Sequence, residues 1–232
     1  MPGAEVDAMV VADMIDSEIL LASHAIIMAA TWGVMVPVSL VITRFFKVMP
    51  GQNYPQEINN SFWMRTHRVM STTVIFVATA GAGLAVWALG GISLASTHAQ
   101  WGFAVVVLGW LQLFIALQRG THGGPWGLSR NVENILPRDQ WFGDHYNMTL
   151  RRRIFEVVHI WTGYPTAIAG LVAVALGIDG YGLAWPWQVA YGAWVLAILL
   201  AYWKFTRDRR RVPTYQSIWG LAPEHPGNRD LD

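Results

Sequence analysis

Four histidines are the residues of this chain whose type and spacing point to chemistry. His24, His67, His98 and His159 each stand near the start of a long apolar run, and each run carries one of them. An imidazole can bind a metal through one ring nitrogen while the other donates a hydrogen bond. Ionisable side chains inside membrane helices are costly and usually functional. These four histidines are therefore the candidate site residues.

Two readings of a histidine in such a position stay open. A lone histidine near a helix end is more often a capping or hydrogen-bonding group than a metal ligand. Four of them, one per apolar run, favour ligation instead. His122, His145 and His225 stand in polar segments and are interpreted as ordinary loop histidines. Proton exchange or a cytoplasmic partner is the alternative for His122 and His145, which share a segment with Trp126 and Trp141.

The composition indicates a membrane protein without thiol chemistry. The chain has 232 residues, of which 53% are hydrophobic and 13% charged, whereas soluble domains carry about 25% charged residues. Thirteen tryptophans are typical of a protein with rings at the membrane interface. The absence of cysteine excludes disulfides, thiolate metal sites, iron–sulfur clusters and covalently attached c-type haem.

Five windows free of charged residues predict membrane-spanning helices, each of about 20 residues. They are residues 19–43, 69–95, 99–117, 157–178 and 183–203. The first 18 residues carry five acidic residues and no basic one, which does not suit a secretory signal. We therefore predict an all-α integral membrane protein with an acidic outer tail (1–18), a transmembrane domain (19–205) with a long loop (118–156), and a C-terminal tail (206–232).

The basic residues predict the orientation. All 16 Lys and Arg residues fall in residues 44–68, 119–153 and 204–229, which lie on one side of the membrane if there are five spans. The positive-inside rule then places the N-terminus outside and the C-terminus in the cytoplasm. Because the chain is compact and has no targeting segment, we expect a bacterial inner membrane with a periplasmic N-terminus.

The alternating direction of the helices predicts how the histidines pair. His24 and His98 fall towards the outer face, and His67 and His159 towards the cytoplasm. In an antiparallel bundle of the first four helices, the first and third lie diagonally opposite, as do the second and fourth. Each pair can then face across the bundle core. This is the geometry of two b-type haems, each with two axial imidazoles.

Small and basic residues near the histidines agree with haem binding. A porphyrin lying against a helix needs a small residue about one turn from the ligand, on the same face. Gly102, Gly163 and Ser71 stand four residues after His98, His159 and His67. Arg68 and Arg65 are candidates to neutralise the propionates of the cytoplasmic haem. The alternative for both arginines is a role as interfacial anchors.

Four stretches carry a resemblance to a known family. They are HAIIMAATWGVMVPVSLVITRFFK, WMRTHRVMSTTVIFVATAGAGLAV, HAQWGFAVVVLGWLQLFIAL and RRRIFEVVHIWTGYPTAIAGLVAV, which cover most of residues 20–178. Together they resemble the cytochrome b561 family, in the form associated with DOMON domains but here expected without one. The resemblance implies four core helices that bind two b haems near opposite membrane faces. It implies His24, His67, His98 and His159 as their ligands.

These features predict electron transfer and leave several partners open. A haem iron with two protein ligands has no free position for oxygen or substrate, so no catalytic side chain is expected. We predict a one-electron relay between a donor and an acceptor, such as a quinol, a small reductant or a partner protein. Whether this relay makes the chain a transmembrane oxidoreductase stays open. Membrane lipid is the surrounding partner, and nucleic acid is not expected.

The alternatives are a haem-bearing subunit of a larger energy-converting complex and a quinone-linked b-type anchor of a dehydrogenase. A transporter is disfavoured because no charged residue lies within the predicted spans.

Overall fold

The architecture is helical and built to cross a membrane. The computed structural model describes residues 2–124, 142–223 and 225–228, with the backbone alone for residues 2–13. Within these residues there is no strand, and five helices are long and apolar enough to span a membrane. The prediction of an all-α integral membrane protein with five spanning helices is confirmed.

The helices follow one another in the order that the apolar windows predict. The first spanning helix consists of α1 (Pro2–Met28), a π-helical segment (Ala29–Met35) and α2 (Val36–Phe45). The other spanning helices are α3 (Phe62–Ala88), α4 (Thr97–Leu117), α6 (Leu150–Gly180) and α7 (Trp185–Arg207), and two short helices are α5 (Asp144–Asn147) and α8 (Thr214–Trp219).

The boundaries of α3 differ from the predicted window of residues 69–95. The helix begins at Phe62, because Arg65 and Arg68 occupy exposed positions of its first turns and do not interrupt it. It ends at Ala88, because Gly90 and Gly91 adopt positive φ angles of 69° and 156°, which glycine tolerates and a helix does not continue. The window predicted from the absence of charged residues therefore lies too far towards the C-terminus compared with the helix.

The bundle core is a compact cluster contributed by four helices. It contains Trp32 of the π-helical segment together with residues of α3, α4 and α6, namely Val74, Ala78, Val105, Ala169, Ala173 and Val174. Close contacts connect the first spanning helix with α3, α3 with α4, α4 with α6, and α6 with the first helix. The first helix and α4 are therefore diagonal, and so are α3 and α6. In contrast, α7 has no buried residue and packs at the periphery.

Two glycines make room for the indole at the centre of this core. A Cβ atom at Gly109 would lie 3.4 Å from the Trp32 ring, and one at Gly170 would lie 2.6 Å from it. Small residues of this kind let membrane helices approach closely. The bundle is thus packed around one tryptophan halfway along its length.

The segments predicted as tails are partly structured. The backbone is helical from Pro2 onwards, so the acidic residues lie within α1. In the C-terminal segment, α8 buries Tyr215, Ser217 and Ile218, and Lys47 Nζ donates a hydrogen bond of 2.8 Å to Thr214 Oγ1. The long loop 118–156 is described on both sides of residues 125–141, which lie outside the described chain. The predicted domain boundaries stay predictions.

Candidate functional site

The four candidate histidines form two pairs, one histidine from each bundle helix. In the first pair, the ring centroids of His24 and His98 are 6.0 Å apart. In the second pair, those of His67 and His159 are 6.1 Å apart. These are the pairs that helix direction predicts from the sequence. The structure therefore brings the four side chains together in two separate places.

The two pairs lie near opposite ends of the bundle. The hydroxyl of Ser39 lies 3.4 Å from His67 Nδ1, so Ser39 marks the level of the second pair on the first spanning helix. His24 stands 15 residues earlier on that helix, which corresponds to about 22 Å at 1.5 Å per residue. The core around Trp32 fills the space between the two levels.

The first pair is held by backbone carbonyls. His24 Nδ1–H donates to the carbonyl of Gly81 at 2.9 Å, and His98 Nδ1–H donates to the carbonyl of Ala173 at 2.9 Å. Each bond fixes the ring orientation and the tautomer, so that Nε2 carries the free lone pair. Metal-binding histidines are typically oriented by such a hydrogen bond.

A glycine on α6 was missed by the sequence analysis. A Cβ atom at Gly177 would lie 2.9 Å from His98 Cε1, so only glycine lets the ring lie this close to α6. The signal was absent from the sequence because the two residues are far apart along the chain and meet only through helix packing.

The second pair is supported by hydroxyl groups and an aromatic ring. His67 Nδ1 lies 3.4 Å from the hydroxyls of Ser39 and Ser71. The His159 ring stacks on Phe155, with centroids 5.3 Å apart. Among the described residues, His159 Nδ1 is buried without a hydrogen-bond partner. His159 therefore lacks the hydrogen bond from Nδ1 that orients each ring of the first pair.

The small residues predicted to accommodate a porphyrin have different surroundings. A Cβ atom at Gly102 would meet nothing within 4 Å, whereas one at Gly163 would lie 3.5 Å from Gln112 Oε1 of α4. Ser71 lies next to His67, as described above. Gly102 adjoins open space, Ser71 lines a small cavity beside His67, and the predicted role of all three stays a prediction.

The spacing of each pair fits a metal held between two imidazoles. A bond of about 2 Å between the metal and a ring nitrogen, with that nitrogen about 1 Å from the ring centre, places the centroids of two trans imidazoles about 6 Å apart. Both pairs have this separation. Within the described chain there is no group of three or more His, Cys, Asp or Glu residues suited to a metal ion. Two-histidine sites of this kind suit a metal that brings its other ligands with it, as haem iron does.

Four arginines lie at the end of the bundle that carries the second pair. Burial, followed by the charges of Arg68 and Arg152, lowers the pKa of Arg119. Arg152 also forms an ion pair of 2.7 Å with Glu156. Arg65 and Arg68 are exposed, where they can reach an anionic group at the helix end. The sequence analysis identified Arg65 and Arg68 but missed the exposed Arg119 and the buried Arg152, because a run of loop arginines gives no sign of which ones lie at this end of the bundle.

The histidines interpreted as ordinary loop residues in fact pack together. The rings of His122 and His145 stack at 5.3 Å, and Trp219 Nε1–H donates to His145 Nδ1 at 3.2 Å. His225 is buried and stacks on Trp219 at 5.9 Å. Burial, then the nearby charge of Arg152, lowers the pKa of His145 to about 2, so its ring is neutral. Trp126 and Trp141 lie outside the described residues.

We call the cluster of His122, His145, Trp219 and His225 the aromatic cap. It is connected to the second pair. Tyr215 stacks on His145 at 5.0 Å and receives a hydrogen bond of 3.4 Å from Arg152 Nε. The guanidinium of Arg152 lies 4.9 Å from the centre of the Phe155 ring, which stacks on His159. The cap therefore covers the end of the bundle through continuous contacts between side chains.

Two curated proteins are similar to this chain, while no protein-family model matches it. The first is the "Cytochrome b561, DM13 and DOMON domain-containing protein" of Arabidopsis thaliana, which is 24% identical over 207 residues, covering 83% of this chain and 19% of that protein. The second is "Ferric-chelate reductase 1" of Bos taurus, 26% identical over 185 residues, covering 77% of this chain and 27% of that protein. The chain thus spans about a fifth to a quarter of the length of these relatives. No solved structure matches it.

Proposed function

We propose that this chain, whose resemblance to the cytochrome b561 family is confirmed by its two relatives, binds two b haems and carries electrons across a membrane. The observation that carries the proposal is the pair of sites with imidazole centroids 6.0 and 6.1 Å apart. They come from four different helices and lie near the two ends of one bundle. Similarity to a cytochrome b561 protein supports haem b as the bound group.

The histidines and their neighbours have separate roles in this proposal. His24 and His98 would hold one haem through Nε2, which the hydrogen bonds of Nδ1 leave free, and His67 and His159 would hold the other. When bound, the haem iron supplies one-electron redox chemistry. The carbonyls of Gly81 and Ala173 fix the imidazoles of the first pair, and the apolar core around Trp32 excludes water between the sites. Arg68 and Arg119 balance the negative charge of the haem propionates at the second site, and Arg65 lies nearby.

The direction of the chain in the membrane follows from its charge. We infer that the end with the second pair, the aromatic cap and the basic residues faces the cytoplasm, because positively charged segments are retained there. The first pair then faces the outer side, in a bacterial inner membrane. A redox donor and an acceptor on the membrane or at its two faces complete the reaction.

Proteoliposomes test electron transfer directly. Haem-loaded protein is reconstituted into vesicles that contain trapped ferricyanide, and a membrane-impermeant reductant is added outside. We expect the trapped ferricyanide to be reduced by vesicles with the protein and not by vesicles with the His98→Ala variant. Equal reduction in vesicles with wild-type protein and in protein-free vesicles would contradict the proposed function.

The orientation of the imidazole rings predicts a spectroscopic property. The ring planes are inclined by 84° in the first pair and by 81° in the second. If both rings of a pair held a ferric haem at this inclination, the haem would give a strongly anisotropic low-spin signal in electron paramagnetic resonance. We expect this signal from both haems of the oxidised protein at low temperature. The rhombic signal of near-parallel imidazoles at both sites would show that the histidine rings do not bind in the orientations seen here.

A further inference from the structure

A group of cations lies where the first spanning helix, α7 and the C-terminal segment meet. It consists of Arg44 and Lys47 at the end of the first helix and Arg210 and Arg211 after α7. We call it the cationic corner. Lys47 is held in place by hydrogen bonds from Nζ to the carbonyl of Val212 at 3.3 Å and to Thr214 Oγ1 at 2.8 Å.

Aromatic rings form the floor of the cationic corner. Phe45 is 1% exposed, and its ring lies 4.9 Å from Tyr202 and 5.5 Å from Phe205. The guanidinium of Arg44 lies 5.9 Å from the centre of the Tyr202 ring, and that of Arg210 lies 4.9 Å from the centre of Phe46. These contacts join α7 to the bundle at this end, although α7 itself has no buried residue.

The charge of Glu156 acts on Lys47, but one carboxylate does not balance the four cations of the corner. Glu156 is bound to Arg152 at 2.7 Å, and Asp208 is bound to Lys204 at 2.9 Å. Arg44 Nε is buried and has no hydrogen-bond partner among the described residues. Burial, followed by the charges of Arg44 and Arg211, lowers the pKa of Lys47 to about 8. A partly buried set of like charges with an unused buried donor, Arg44 Nε, is stabilised by a bound anion.

The position of the corner indicates the class of anion. Arg44 and Lys47 flank Phe45, where the first span ends, and Arg210 follows the end of α7 by three residues. Apolar side chains of α7 lead away from the corner into the membrane and are exposed: Leu196, Leu199, Leu200 and Trp203. Basic pockets between spanning helices at a membrane face bind the headgroups of anionic lipids. A phospholipid would pair its phosphate with the cations of the corner and cover the exposed apolar side chains of α7 with its acyl chains.

We propose that the cationic corner binds the phosphate of an anionic phospholipid, and that this lipid fastens α7 to the bundle. The guanidinium of Arg44 and the ammonium of Lys47 contact the phosphate, and Arg211 adds charge from the exposed side. The site is separate from the four histidines. The proposal therefore depends neither on haem binding nor on the orientation of the chain.

Thermal unfolding of the full chain in a neutral detergent tests this site. Phosphatidylglycerol, phosphatidylcholine or inorganic phosphate is added to wild-type protein and to R44Q/R211Q. The matched control is R207Q/R209Q, which removes the same charge at exposed positions at the C-terminal end of α7. We expect phosphatidylglycerol alone to raise the unfolding temperature, the rise to be lost in R44Q/R211Q, and the rise to persist in the control.

Three results would overturn the proposal. An equal rise with phosphatidylcholine would remove the need for an anionic headgroup, and a full rise with inorganic phosphate would make the site one for a free anion. An equal loss in both double variants would reduce the effect to net charge.

Native mass spectrometry gives a second measurement, in which wild-type protein and R44K retain phosphatidylglycerol and R44Q/R211Q releases it. Release by wild-type protein under the conditions that preserve its fold would also refute the site.

Discussion

Replacing His98 by alanine is expected to halve the haem content, from two haems to one per chain. The ring of His98 is one of the two imidazoles of the first pair, and its partner His24 lies 6.0 Å away. The second pair lies about 22 Å further along the bundle by helix rise and shares no residue with the first. Pyridine haemochrome quantitation per chain, together with the reduced-minus-oxidised spectrum, measures the loss. His67→Ala is expected to remove the other haem.

The histidines of the aromatic cap provide the control for this experiment. His122 is exposed and stacks on His145 outside the bundle, so H122A is expected to keep both haems. Free imidazole added to H98A fills the space left by the side chain and is expected to restore part of the lost spectrum. Two haems in each of the H98A and H67A proteins would show that these histidines are not ligands.

Replacing Gly170 by leucine is expected to destabilise the whole bundle. A Cβ atom at this position would lie 2.6 Å from Trp32 Cε3, and the indole is enclosed by α3, α4 and α6 and cannot move aside. Overpacking of a dense core costs about 1–3 kcal/mol and sometimes more. We expect a lower unfolding temperature and reduced retention of both haems, because the clash lies between the two sites and separates the helices that carry them.

A glycine on α7 provides the control that distinguishes a clash with Trp32 from the general effect of adding a bulky residue to a helix. A Cβ atom at Gly192 would meet nothing within 4 Å, so G192L is expected to unfold at nearly the wild-type temperature. Trp32→Leu in the G170L background removes the ring that clashes and is expected to recover part of the stability. An unfolding temperature for G170L equal to that of G192L would show that Trp32 is not packed against α6 as described.

The pairing of the histidines could be predicted because it depends on simple physical rules. Successive spanning helices alternate in direction, and the position of each histidine near the start of its helix then assigns its imidazole to one end of the bundle. Neither step needs the detailed packing of side chains. The same reasoning could not identify Gly177 beside His98 or the carbonyl of Gly81 beside His24, because these contacts arise only when the helices pack.

The C-terminal segment shows the opposite case. A helix as short as Thr214–Trp219 is unstable by itself, and the residues around it are polar, so its sequence is typical of an irregular tail. Its order comes from Tyr215 against His145, from Lys47 bound to Thr214, and from Asn228 Nδ2 donating to the carbonyls of Gly220 and Ala222 at 2.9 Å. The contacts of Tyr215 with His145 and of Lys47 with Thr214 join residues that are distant in the sequence, so local patterns do not reveal them.

The same explanation applies to the aromatic cap. His122 and His145 are separated from His225 by two spanning helices, and each histidine by itself is typical of a loop. Their rings meet because α8 brings Trp219 against the short segment that precedes α6. This part of the structure depends on the tertiary fold and was therefore missed, whereas the bundle depends on hydropathy and charge and was predicted.

The most direct test of the central claim is the haem content of the purified wild-type protein. A dithionite-reduced minus oxidised spectrum identifies b-type haem, and pyridine haemochrome quantitation gives the number of haems per chain. The two histidine pairs predict two b haems for each chain. A correctly folded preparation, expressed with sufficient haem and supplied with more after purification, that binds none would contradict the account.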